Sequence, residues 1–211
     1  MDALMSAHDW DERYRTSELI WKAGPNQWVR QYTQDLSPGT ALDLASGEGR
    51  NAVWLADRGW QVTAVDFSAV AIEKAKKLAS QHGRRTAERI HWAIEDVLSY
   101  APTAEYNLVL VIYLHIHAEQ RKAVLQRAAG AVSPGGQLLV VGHHTDNLTH
   151  GVGGPPNPEI LYTEEDVLAD LAEFPNLLSR TAQRVERVID GQPRPALDVV
   201  VEAQRSAATQ R

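Results

Sequence analysis

The sequence predicts an α/β fold with a doubly wound, mostly parallel sheet of seven strands, of which the final strand is antiparallel. Strand and helix patterns alternate from about residue 40 onward, which is typical of right-handed βαβ units. The last two predicted strands are joined by a turn at residues 190–193, which is too short for a parallel crossover. A chain of 211 residues is within the usual size of one domain. We expect a single domain, with a helical cover over residues 1–39 and a core over residues 40–205.

Short apolar runs that end at polar or turn residues predict the strands. These runs cover residues 40–45, 61–65, 90–94, 106–112, 137–141, 181–189 and 196–204. The run at 106–112 is apolar almost throughout, which is typical of a strand buried on both faces. Pro134, Gly135 and Gly136 predict a turn before the fifth strand.

Helices are predicted between the strands, where apolar residues recur every three or four positions. Residues 50–57 form one helix, which ends before Gly59. Ser68 is a favourable N-cap for the next helix, whose apolar stripe consists of Ala71, Ile72, Ala75, Leu78 and Ala79. Residues 118–132 form another helix. Thr163, followed three residues later by Asp166, begins a further one that runs to about residue 172.

The composition argues against several classes of protein. The chain has no cysteine, which excludes disulfides and thiolate metal sites and fits a cytoplasmic location. We expect no signal peptide, and no apolar stretch approaches the roughly 20 residues that a membrane-spanning helix needs. The net charge is −6, and the lysines and arginines form no stripe, so nucleic acid is not an expected partner. A small molecule is the expected partner, and the oligomeric state is left open.

Acidic residues and glycines follow the first three predicted strands, where an open parallel sheet binds its ligands. Gly47 and Gly49 lie in the turn after the first strand, where glycine permits positive φ and a close approach to a ligand. Asp66 ends the second strand at a spacing suited to a carboxylate that holds ribose hydroxyls. Glu95 and Asp96 follow the third strand, where a carboxylate can accept from an adenine amino group. Each feature alone also fits a tight turn, a helix cap or a polar loop, but together they favour nucleoside binding.

The segment 41–79, ALDLASGEGRNAVWLADRGWQVTAVDFSAVAIEKAKKLA, resembles the cofactor half of class I S-adenosylmethionine-dependent methyltransferases, which have a Rossmann-like fold. Within that superfamily it resembles the small-molecule enzymes related to tellurite-resistance and thiopurine methyltransferases. The segments 10–14, WDERY, and 153–155, GGP, are similar to features of such proteins. The resemblance implies S-adenosylmethionine as cofactor and transfer of its methyl group to a small-molecule nucleophile.

The resemblance also implies which residues meet the cofactor. We expect them to be Arg13, Asp43, Ala45, Gly47, Gly49, Asn51, Asp66, Phe67, Ser68, Glu95, Asp96, Val97 and Ile112. Asp43 is expected near the methionine amino group, and Arg13 is expected to pair with the cofactor carboxylate. The family usually has glycine where this chain has Ala45. A methyl group is tolerable there if the backbone stays in a strand-like region.

The same resemblance implies which part of the cofactor each of the other matching residues contacts. Gly47 and Gly49 are expected around the amino-acid portion, and Asp66 at the ribose with Phe67 and Ser68 beside it. The adenine is expected at positions 96 and 97, and Ile112 is expected to line its pocket or the methionine. The carboxylates suit a cofactor that carries sulfonium and ammonium charges, whereas the pyrophosphate of a dinucleotide would be repelled.

Tyr113 and His115, after the fourth strand, are the expected catalytic residues, acting as a general base or as a pair that orients the acceptor. The histidines after the fourth and fifth strands match no zinc spacing, so no metal is expected. Aromatic residues form either an acceptor wall or a packed cover; they are Trp10, Tyr14, Trp21, Trp28 and Tyr162. The segment 143–158 is either a loop that closes over substrate or an ordinary connection.

Two alternative functions stay open at this point. A nicotinamide-dependent oxidoreductase is one, because the segment 47–52, GEGRNA, also fits the pattern G-x-G-x-x-A. The position of Asp43 inside the first strand, the acids after the third strand and the lack of a substrate domain argue against it. A non-catalytic module that binds S-adenosylmethionine is the other alternative.

Overall fold

The computed structural model describes residues 6–15, 19 and 24–207. Its seven strands are β1 Thr40–Leu44, β2 Gln61–Asp66, β3 Ile90–Ile94, β4 Tyr106–Ile112, β5 Val132–His143, β6 Leu177–Arg187 and β7 Ala196–Arg205. They form one sheet in the order β3-β2-β1-β4-β5-β7-β6. β2 pairs in parallel with β1 and β3, whereas β7 is antiparallel to β5 and β6. The predicted α/β fold with a mostly parallel seven-stranded sheet and an antiparallel final strand is confirmed.

The helices occupy the connections that the apolar periodicity indicated. They are α1 Ala7–Arg15, α2 Gln27–Thr33, α3 Arg50–Asp57, α4 Ala69–Gln81, α5 Arg84–Ala87, α6 Ala118–Gly130, α7 Asn147–His150 and α8 Glu164–Asp170, with a 3₁₀ turn at Pro158–Ile160. No helix in the described ranges is long and apolar enough to cross a membrane.

The described residues divide into two compact units. The first runs up to residue 101 and includes 106–110, so it holds β1, β2 and β3. Its core contains the fully buried side chains of Leu42, Leu55 and Ile72. The whole predicted stripe of α4 is buried, since each of its five residues is at most 6% exposed. Ser68 caps α4 as predicted, because its Oγ accepts from the Ala71 N–H at 3.0 Å.

The second unit comprises residues 102–105 and the described residues from 111 onward. β5 and β7 pair in a register that sets Gly142 opposite Val199 and His143 opposite Asp198. The buried Arg121 on α6 donates to Asp170 on α8 at 2.7 Å. The predicted capping box of α8 is present between Thr163 and Asp166. The single-domain organisation of the whole chain stays a prediction.

Two local predictions in the second unit are wrong. α6 ends at Gly130 rather than at 132, and β5 runs without a break through residues 134–136, where a turn is predicted. Gly135 takes its positive φ of 79° inside the strand, and its carbonyl accepts from the Gln204 side chain at 3.1 Å. A strand conformation, with this side-chain contact from β7, therefore replaces the turn that the local residues favour.

The segment 143–158 contains more order than either sequence interpretation anticipates. It includes α7 and is tied to the sheet by Asn147. The Asn147 amide donates to the Gly153 carbonyl at 2.7 Å, and its oxygen accepts from the Leu197 N–H at 2.7 Å. The helix α7 is thus held against β7 by the hydrogen bond between Asn147 and Leu197.

Candidate functional site

The turn after β1 is built on residues with left-handed backbone. Gly47 has φ 53° and Gly49 has φ 75°. A Cβ on Gly49 would lie 2.5 Å from the Trp92 ring and 2.7 Å from the Ala75 methyl group. A Cβ on Gly47 would lie 3.0 Å from the Tyr14 hydroxyl. Both glycines are therefore required by backbone conformation, and Gly49 also by packing.

Ala45 departs from its expected backbone conformation. An alanine is tolerable there if the backbone is strand-like, but φ is 58°, and β1 already ends at Leu44. A left-handed conformation costs an L-residue roughly 1–2 kcal/mol. The condition under which a methyl group is tolerable at Ala45 is therefore not met, and the turn carries strain that a glycine would not.

Asp66 joins the end of β2 to the glycine turn. Its Oδ2 accepts from the Gly47 N–H at 2.8 Å, and its Oδ1 accepts from the Ser68 N–H at 2.9 Å. Burial raises the pKa of Asp66, and the two N–H donors oppose this increase. The two elements that the sequence analysis paired by their spacing are thus in direct contact.

Asp43 is a buried carboxyl whose oxygens accept no well-formed hydrogen bond from the described residues. It is 1% exposed, and within the described part of the chain neither oxygen has a hydrogen-bond partner of normal geometry. Burial, reinforced by Asp66, raises the pKa of Asp43 to about 7, although Arg50 and the Ala52 N–H oppose the increase. Buried polar groups are nearly always satisfied, so this carboxyl is suited to a ligand that brings a cation or N–H donors.

The end of β3 offers a mixed surface. Glu95 and Asp96 are exposed, and the Asp96 carboxylate accepts from the Leu98 N–H at 2.8 Å. Val97 is buried. Ile94, which sequence reasoning missed, lies opposite Asp66 in the strand register and is 52% exposed. An exposed apolar side chain beside acceptors is suited to the face and edge of a purine.

Two other predicted cofactor residues, Asn51 and Arg13, have contacts within the protein. Asn51 accepts from the Asn26 N–H at 2.9 Å, which anchors the start of α2. Arg13 is exposed and lies over the Trp10 ring at 5.0 Å. Phe67 is half-buried. Their contacts with a cofactor stay predictions.

The second unit holds the predicted catalytic residues, and Ile112 immediately precedes them. Tyr113 has a positive φ of 55°, which is rare for a residue with a bulky side chain. Its hydroxyl donates to Asp198 at 2.7 Å, and the same oxygen of Asp198 accepts from the Arg187 Nε at 2.7 Å. Asp198 is fully buried. Sequence reasoning missed Asp198 and Arg187, because both lie in strands with no local signature.

His115 is held as a neutral acceptor. Its Nε2 accepts from the His143 backbone N–H at 3.1 Å, and the two imidazole rings stack with centroids 5.3 Å apart. Burial, followed by the nearby His143, lowers the pKa of His115 to about 3. This geometry fits a positioning role better than a general base. No group of three potential metal ligands occurs among the described residues.

The other aromatic residues of the predicted set pack against neighbouring side chains wherever the structure describes them. Trp28 and Tyr162 are buried, and the Tyr162 ring faces Arg121 at 5.0 Å. Trp10 and Tyr14 lie in contact on α1, with ring centroids 5.5 Å apart. Trp21 lies outside the described residues. The packed-cover interpretation therefore fits Trp28 and Tyr162.

Comparison with known proteins gives matches of sequence and of fold. Residues 41–136 match the family model described as a methyltransferase domain. The chain is 34% identical over 108 residues to tRNA 5-carboxymethoxyuridine methyltransferase of Escherichia coli K12, a match that covers 51% of this chain and 41% of that protein. It is 29% identical over 115 residues to ubiquinone biosynthesis O-methyltransferase of Idiomarina loihiensis, covering 53% and 45%. The chain spans less than half the length of these relatives.

The structural similarity extends over nearly the whole chain. The crystal structure of TehB from Haemophilus influenzae has a TM-score of 0.68 with this fold, covering 95% of this chain and 67% of that one at 16% identity. At this level of identity the similarity concerns the fold.

Proposed function

We propose that this chain is a class I S-adenosylmethionine-dependent methyltransferase that transfers the methyl group of its cofactor to a small-molecule nucleophile. The observation that carries the proposal is the buried Asp43 carboxyl, which lacks a hydrogen-bond partner of normal geometry in the described chain. It lies beside Asp66, which is hydrogen-bonded to the glycine turn. A nucleoside that carries sulfonium and ammonium charges satisfies this arrangement, whereas a pyrophosphate does not.

The residues of the first unit fit such a cofactor by their chemistry. Asp43 is suited to its ammonium group, and the backbone of Gly47 and Gly49 permits close approach of the amino-acid portion. Asp66 is suited to the ribose hydroxyls, and Ile94 with Asp96 to the adenine. When bound, the cofactor supplies an electrophilic methyl group activated by the sulfonium charge.

We assign acceptor handling to Tyr113, with His115 in support. Strained residues in charged, buried surroundings occur preferentially at functional sites. Tyr113 combines a left-handed backbone with a hydroxyl held by the buried Asp198. His115 contributes rigidity, since its Nε2 is already bound to the His143 N–H. Both residues therefore act in this proposal by orienting the nucleophile.

A small acceptor is favoured over tRNA by charge. The net charge is −6, and several surface cations are neutralised by carboxylates; these pairs are Arg84–Glu88, Lys122–Glu173, Arg184–Asp146 and Arg205–Glu105. A polyanion needs a concentrated basic surface. tRNA is nevertheless the second candidate, because the name of the E. coli relative specifies a tRNA substrate. A cytoplasmic location, which the absence of cysteine favours, stays a prediction.

Isothermal calorimetry tests the cofactor assignment first. We expect S-adenosylmethionine and S-adenosylhomocysteine to bind and NAD⁺ not to bind. Asp66→Ala should abolish this binding while circular dichroism shows a folded chain. Binding of NAD⁺ alone, or unchanged affinity in the Asp66 variant, would refute the assignment.

Release of S-adenosylhomocysteine then tests the acceptor. The panel contains a phenol, a primary amine, a carboxylic acid, a thiol and bulk tRNA, each at matched concentration. We expect turnover with at least one small molecule and none with tRNA. Tyr113→Phe should lower the turnover of that small molecule about 10-fold or more, which is the lower range for a lost orienting hydrogen bond. Turnover with tRNA alone would support the second candidate, and cofactor binding without any turnover would favour a binding module.

A further inference from the structure

We propose that Asp11 is a positioning residue for the cofactor, which fastens α1 over the nucleoside site. The Asp11 Oδ1 accepts from the Ser68 hydroxyl at 2.5 Å. The same oxygen lies 3.4 Å from the Val70 N–H, in the first turn of α4. Asp11 thus adds a carboxylate cap to α4 from a separate helix, at the end where negative charge is favourable.

The contact of Asp11 is one part of a continuous chain of interactions. Ser68 donates its hydroxyl to Asp11 and its N–H to Asp66. Asp66 in turn accepts from the Gly47 N–H at 2.8 Å. The Tyr14 hydroxyl packs against Gly47, where a Cβ would lie 3.0 Å from it. The chain of interactions therefore begins and ends on α1, one turn apart.

This arrangement gives α1 two contacts with the residues proposed to hold the ribose and the amino-acid portion. Tyr14 is 5% exposed, so α1 is packed at this edge rather than merely adjacent to it. The Asp11 charge also raises the pKa of Asp66, which means that the two carboxylates repel each other. Docking of α1 is consequently opposed by charge and favoured by the Ser68 hydrogen bond.

Because α1 contacts Ser68 and Gly47 directly, cofactor binding and α1 docking should stabilise each other. The inference rests on the proposed cofactor function. It assigns to Asp11 a role in retaining the cofactor, exerted through Ser68 and Asp66 rather than through contact with the methyl group.

Calorimetry and stopped-flow release of S-adenosylhomocysteine test the role of Asp11. Asp11→Ala should weaken binding about 10-fold or more, as expected for a lost hydrogen bond to a charged group, with most of the change in the dissociation rate. Asp11→Asn keeps an acceptor oxygen and should recover part of the affinity. Glu12→Ala is the matched control, because this neighbouring exposed acid contacts Arg15 on its own helix, and it should bind as tightly as the unaltered chain.

Limited trypsin cleavage of the unaltered chain gives a readout that does not depend on any variant. α1 carries Arg13 and Arg15, and S-adenosylhomocysteine should slow cleavage after both. Unchanged cleavage with ligand bound, or Asp11→Ala binding within 2-fold of the unaltered chain, would overturn the inference. If the unaltered chain binds no S-adenosylhomocysteine, the proposed function fails instead.

Discussion

Replacement of Asp43 by asparagine should remove a pH dependence of stability that one buried carboxyl creates. The pKa of Asp43 rises from an ordinary value of 3.8 to about 7 in the folded chain, mainly because of burial. Between these values the folded state binds more protons than the unfolded state. Stability therefore falls as the pH rises from about 4 to about 7.

The size of this effect follows from the two pKa values. The difference between 3.8 and about 7 corresponds to about 4 kcal/mol of unfolding free energy. The chain has this contribution at low pH and has lost it fully above pH 7. An asparagine side chain cannot titrate, so the Asp43→Asn chain should lack this loss. Other carboxyls are common to both chains and cancel in the comparison.

Urea unfolding of both cofactor-free chains between pH 4.5 and pH 8 measures the effect. We expect the stability of the Asp43→Asn chain relative to the unaltered chain to increase up to about pH 7 and to level off above it. Parallel stability curves for the two chains, with no change in their separation, would refute the assigned environment of Asp43.

The same carboxyl should couple cofactor binding to proton release. A bound ammonium group favours the charged carboxylate, so its pKa falls on binding. At pH 7 roughly half of the Asp43 carboxyls are protonated beforehand, and binding should release about half a proton. The heat of S-adenosylmethionine binding should differ between phosphate and Tris buffers for the unaltered chain and not for Asp43→Asn; equal heats in both buffers for the unaltered chain would contradict the assignment.

Two further predictions concern the glycine turn. Ala45→Gly should raise the free energy of unfolding by up to about 1 kcal/mol, because relief of roughly 1–2 kcal/mol of left-handed strain exceeds the entropic cost of glycine; thermal melting checks this, with helical Ala123→Gly expected to lower stability instead. Gly49→Ala should lower the free energy of unfolding by about 2–5 kcal/mol, from strain plus overlap with Trp92. Gly135→Ala is its control in urea unfolding, since φ is 79° there and a Cβ meets nothing within 4 Å, and equal losses in both variants would exclude a packing contribution.

Local sequence patterns determined most of the secondary structure and the kinds of residue that follow β1 and β2, where the cofactor is proposed to bind. The spacing of apolar residues in α4, the capping box of α8 and the acidic residue that ends β2 are all local features, and each was predictable. Backbone sterics and side-chain periodicity act over a few residues, so the sequence alone carries them. The contact of Asp66 with Gly47 was predictable for a related reason, since parallel strands bring their carboxyl ends to one edge.

Tertiary structure alone decided the contacts between residues far apart in the chain. Asp11 meets Ser68 across 57 positions, and Tyr113 meets Asp198 across 85. Neither pair has a local signature in the sequence. The first contact depends on where α1 docks, and the second depends on which strand lies beside β5. The left-handed backbone of Ala45 and the unbroken path of β5 through residues 134–136 were likewise visible only in the structure. Packing and strand pairing supply more free energy than one residue's conformational preference, so they override it.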